Sequence, residues 1–101
     1  MGMVWHCLAM ETNEISAHEV RVFLFLKDSG RWVTAKETAK NASVAPRTAR
    51  FHLLKLSRLG LLDSAEVYPG HRYRLSDKAP KRNPAYFARI IKAAEIFRLG
   101  V

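Results

Sequence analysis

Cysteine occurs once in the 101-residue sequence, as Cys7, so no disulfide can close within the chain. Long apolar runs are lacking too. No stretch approaches the roughly 18 residues that a bilayer-spanning helix needs, so no membrane partner is expected. Met1 to Leu8 place no basic segment ahead of their short apolar stretch and do not read as a secretory signal. His6 stands where a myristoylation pattern after Gly2 needs Ser or Thr. Metal-ligand spacing is missing: His6 and Cys7 are adjacent, and neither a Cys-x-x-Cys nor a His-x3-His pair supports them or His18. No acid/base pair stands out, so neither an enzyme nor a bound cofactor is expected. One cysteine and no leader fit a reducing cytoplasm.

Negative charge is the other shortage. Nine acidic residues face seventeen Lys and Arg, for a net charge of +8. The excess is local: residues 31–82 carry +8, while residues 1–30 sum to −2 and residues 83–101 to +2. A concentrated basic segment favours a polyanionic partner. Apolar residues make up 49% of the chain, which excludes general disorder and suits one small core.

Residues 1–15 read as an irregular N-terminal extension. Ser16-Ala17-His18-Glu19 has the spacing of a capping box and opens a helix that Gly30 stops. That helix is apolar on more than one side, through Val20, Phe23 and Leu24 and also Val22, Phe25 and Leu26. Arg31-Trp32-Val33 is a short extended piece. A second capping box, Thr34 to Glu37, begins a helix of about two turns ending at Asn41 or Ala42. Pro46 suits the first position of a third helix, which runs to Leu59 and meets Gly60. Two strands follow, Leu61–Tyr68 and His71–Ser76, joined by a Pro69-Gly70 turn. Asp77–Asn83 reads as a polar linker. Asn83 and Pro84 then start a last helix to about Leu99, with Phe87, Ile90, Ile91, Ala94 and Phe97 on one stripe and Tyr86 and Ile96 outside it.

The decisive stretch is Thr34 to Leu62, in which two short helices meet across a tight turn. Ala39 is small enough for close helix approach, and Val44 plugs the turn. Ala49, Leu53, Leu56 and Gly60 face inward. At about 100° per residue the opposite arc holds Arg47, Arg50, Phe51, Leu54 and Arg58. His52 lies toward the buried arc and reads as a packed histidine. Through Thr34, Ala39, Val44, Thr48, His52, Leu53, Leu56, Gly60, Leu61, Leu62 and the run Pro69 to Leu75, the chain resembles the winged helix-turn-helix family of bacterial transcriptional regulators.

That resemblance, over residues 16–76, implies a winged helix-turn-helix domain; with residues 77–83 read as a linker and 84–101 as an additional C-terminal helix expected to dimerise, the expected fold is α+β. The resemblance implies sequence-specific binding of double-stranded DNA in transcriptional regulation. Arg47, Thr48 and Arg50 would read bases from the third helix, and His71 and Arg72 would belong to the wing. Lys36, Phe51, Lys55 and Arg74 complete the expected DNA-contacting set. Phe51 and Leu54 depart from the usual basic or polar character of that face; Phe51 suits a thymine methyl, or both suit a protein contact. A homodimer is expected from the apolar surplus of the first and last helices, and a chain this short leaves little room for a small-molecule effector. Two other readings stay open: a replication- or partition-site binder of a plasmid or phage, and a protein-interaction module.

Overall fold

The structure is a computed structural model describing residues 15–67 and 70–99. Residues 1–14 of the expected N-terminal extension, with His6 and Cys7, and the Tyr68-Pro69 part of the hairpin turn lie outside the described residues. Helix α1 spans Ala17–Ser29. Ser16 caps it by accepting from the Glu19 N–H at 3.2 Å, and Gly30 ends it at φ 61°. The expected capping box is only half formed. The Glu19 carboxylate turns into the interior instead of back to Ser16.

Helix α2, Ala35–Ala42, has the complete box: Thr34 Oγ1 accepts from the Glu37 N–H at 3.1 Å, and Glu37 Oε1 accepts from the Thr34 N–H at 3.0 Å. Ser43, at φ 58°, supplies the left-handed residue that turns the chain. Helix α3, Pro46–Arg58, starts with Pro46 in its first turn, where no amide donor is needed. Gly60 follows at φ 89°, and a Cβ there would press to 3.2 Å from Cβ of Arg82.

Strands β1, Leu62–Val67, and β2, Gly70–Leu75, pair antiparallel with Leu62 opposite Leu75 and Ala65 opposite Arg72. Val33 adds a one-residue third strand, exchanging both backbone hydrogen bonds with Tyr73 at 2.8 Å. The segment read as a linker contains a one-turn helix, α4, Ala79–Arg82. Ala79 is fully buried, so this turn packs where a free linker would be solvated. Helix α5 spans Pro84–Leu99. Asn83 ties down its start, with Oδ1 accepting from the Tyr86 N–H at 3.2 Å and Nδ2 donating to the Leu59 carbonyl at 3.1 Å.

Phe23, Leu26, Leu53, Leu56, Leu61 and Ile90 are the large fully buried side chains at the centre. Truncating one such leucine to alanine removes about 2–5 kcal/mol. Tyr86, expected outside the apolar stripe, is buried at 8% exposure because its hydroxyl finds a partner inside. Leu24, Phe25, Phe87, Ile91 and Phe97 remain half-buried, and Ile96 is exposed.

Candidate nucleic-acid interface

Helix α3 separates its residues sharply. Ala49, Leu53 and Leu56 are fully buried, and His52 is buried at 7%. Arg47, Arg50, Phe51, Leu54 and Arg58 are exposed along the other side, and Thr48 is half-buried at the edge. The helix contains no acidic residue. Among the described residues no side chain pairs with Arg47, Arg50 or Arg58, so their guanidinium groups are free to meet a ligand's negative charge. Lys36 stands exposed in the first turn of α2.

Lys55 differs from the expectation. Its ammonium turns off the exposed arc and donates to Glu19 Oε1 at 2.9 Å. Glu19 is 1% exposed, and its other oxygen accepts from the Tyr86 hydroxyl. A buried carboxylate must be paired, and these two donors come from α3 and α5. Lys55 thus bridges α3 to α1, with its ammonium engaged by Glu19 rather than free like Arg47 and Arg50. His52 Nδ1 lies 3.9 Å from the same Glu19 oxygen and has no hydrogen-bond partner. Burial holds the His52 pKa below its usual 6.5; Glu19 opposes this, while Lys55 and His18 reinforce it. Burial, then the bond to Glu19, pushes the Tyr86 phenol well above its usual range.

The hairpin presents two kinds of arginine. Arg72 is half-buried opposite Ala65 and pairs with no acidic side chain among the described residues. Arg74 lies over the Trp32 ring at 4.6 Å, with Nε 3.5 Å from Asp63 Oδ2. Asp63 also takes Arg82 at 3.2 Å. His71 is exposed at the β2 start, its ring 6.5 Å from that of Tyr73. The candidate interface therefore comprises the exposed side of α3, the first turn of α2 and the start of β2.

The order helix, helix, turn, helix, hairpin, with Val33 stitched to the hairpin edge, decides the architecture. The fold is a winged helix-turn-helix. Neither a protein-family model nor a curated protein sequence matches the chain. Solved structures share the fold at low identity. The ST1889 protein of the thermoacidophilic archaeon Sulfolobus tokodaii is 21% identical, with a TM-score of 0.62 over 91% of this chain and 89% of that one. The AntR antimony-specific transcriptional repressor is 18% identical, with a TM-score of 0.58 over 93% and 84%. A MarR-like transcriptional regulator of Thermotoga maritima is 19% identical, with a TM-score of 0.54 over 82% and 62%.

Within this winged helix, Glu19 and Tyr86 hold Lys55 and Trp32 holds Arg74, although no sequence motif marks the three for that role. A signal for Glu19 existed, since it falls on the Glu19-Phe23-Leu26 arc at helical spacing. Tyr86 likewise precedes Ile90 and Ala94 by whole turns. Although the chain's length suggests little room for an effector, α1 and the end of α2 frame an open cleft of about 490 Å³ lined by Arg21, Leu24, Phe25, Asp28, Asn41, Ala42 and Ser43. Among the described residues no group of three or more His, Cys, Asp and Glu could hold a metal, and no helix is long and apolar enough to cross a membrane.

Proposed function

We propose that this protein is a sequence-specific double-stranded DNA-binding transcriptional regulator. The observation that carries this reading is the exposed arc of α3, on which Arg47, Arg50 and Arg58 stand without an acidic neighbour on their own helix. A helix of this width, carrying arginines at its N-terminal end, matches the major groove. Arg47 and Arg50 read base edges, with Thr48 and Phe51 beside them. Lys36, Arg72 and His71 meet the phosphate backbone or the minor groove, and phosphate contacts supply most of the affinity.

The working form is a homodimer. Half-buried Phe25, Phe87, Ile91 and Phe97 and exposed Ile96 on α1 and α5 support this, since covering their remaining exposed apolar surface would add part of the roughly 1.5–3 kcal/mol that full burial of such a side chain contributes. Two half-sites also raise affinity and specificity together. Selection of bound sites from random duplexes tests the whole reading. An enriched, two-fold symmetric sequence is the expected result; no enrichment over the starting pool contradicts it.

A further inference from the structure

Phe51 and Leu54 are the apolar anomaly of α3. Phe51 is 61% exposed and Leu54 43%, although both stand on a helix whose remaining exposed residues are mostly arginines. Three residues apart, they adjoin on the helix surface with an axial offset of about 4.5 Å. The Phe51 ring is not loosely hung. It meets the buried His52 ring edge-on at 5.1 Å between centroids and 75° between planes. This contact ties the exposed Phe51 ring to a buried neighbour.

The occupant of this patch is set by its rim. Arg47, Arg50 and Arg58 share its arc, so whatever covers Phe51 and Leu54 must offer apolar groups among negative charges. A protein helix would have to bury three guanidinium groups along with two apolar side chains. The major groove offers the required combination. Phosphates line it, and the C5-methyl group of a pyrimidine is the apolar feature on its floor.

We infer that Phe51 and Leu54 read C5-methyl groups on neighbouring pyrimidines of the bound duplex, and that they set specificity beside the arginines. This rests on the DNA-binding reading above. The chemistry recognised is the methyl itself, so thymine and 5-methylcytosine are its two sources.

The test starts from a duplex enriched by selection and replaces its thymines one at a time with deoxyuridine, which removes only the methyl. At one or two positions per half-site, affinity should fall about three- to tenfold. The F51A and L54A variants should bind thymine and uracil duplexes alike at those positions, with an unchanged salt slope because no charge is lost. At the same positions cytosine and 5-methylcytosine are then compared. A gain with 5-methylcytosine supports reading of the methyl on either base; sensitivity confined to thymine supports reading of thymine alone. Salt-dependent binding with no uracil effect anywhere overturns the inference and leaves the DNA reading intact. Equal losses on thymine and uracil duplexes in both variants also overturn it. No binding to any duplex at low salt overturns both.

Discussion

The Lys55 ammonium lies 2.9 Å from Oε1 of Glu19, a carboxylate only 1% exposed although it belongs to the first turn of α1. This contact joins the helix that carries the exposed arginines to the helix that carries the apolar surplus. The Tyr86 hydroxyl on the other Glu19 oxygen brings in α5. Three helices thus share one buried charge.

Removing Lys55 leaves the buried Glu19 carboxylate without its cation and with the Tyr86 hydroxyl as its remaining close donor. The K55M variant should lose about 3 kcal/mol, at the low end of the range for fully buried pairs because Lys55 keeps 28% side-chain exposure. The double variant E19M/K55M removes both charges and should recover much of that loss. Urea unfolding of the single and double variants measures both values.

His52 makes stability depend on acid. Burial sets its folded pKa below 6.5, the value expected in the unfolded chain. Between the two values the unfolded state binds more protons, so stability rises with pH there. Its contribution is complete above about pH 6.5 and declines as the pH falls toward the folded pKa, at no more than about 1.4 kcal/mol per pH unit. An H52Q variant should show a shallower decline over the same range. Urea midpoints measured against pH for both proteins provide the check.

How much of this was legible in the sequence follows from what local rules can see. Capping and turn chemistry marked α2, α3 and the hairpin, because Thr34, Pro46 and Gly60 act on their own neighbours. The inward arc of α3 was legible from spacing alone. Glu19 departs from the local rule for the same reason: capping-box spacing sends its side chain back to Ser16, while two donors distant in sequence, Lys55 and Tyr86, hold it inside. The one-turn helix at Ala79–Arg82 leaves no local signal, because it buries only Ala79, which polar flanks conceal. Arg72 and Arg74 alternate identically in sequence; only the bridge between Val33 and Tyr73 brings Trp32 beneath Arg74 and separates their roles.

Arg47 and Arg50 are expected to discriminate bases. Alanine at either position should weaken binding to the selected site by about 1–3 kcal/mol and binding to random duplex far less. Equal losses on both would make them phosphate contacts. Competition binding with selected and random duplexes separates the outcomes.

The hairpin arginines should behave differently from each other. R72A should flatten the slope of log affinity against log salt by about 0.9 for one lost phosphate contact. R74A should change that slope less and lower thermal stability more, because Arg74 is held by Trp32 and Asp63. Salt titration and thermal melting of the two variants give the comparison.

Binding of the unaltered protein to duplex DNA, titrated against salt, tests the central claim most directly. The slope of log affinity against log salt should be steeply negative, by about 0.9 for each phosphate engaged, with several phosphates engaged at once. A slope near zero, or no binding at low salt, would contradict it.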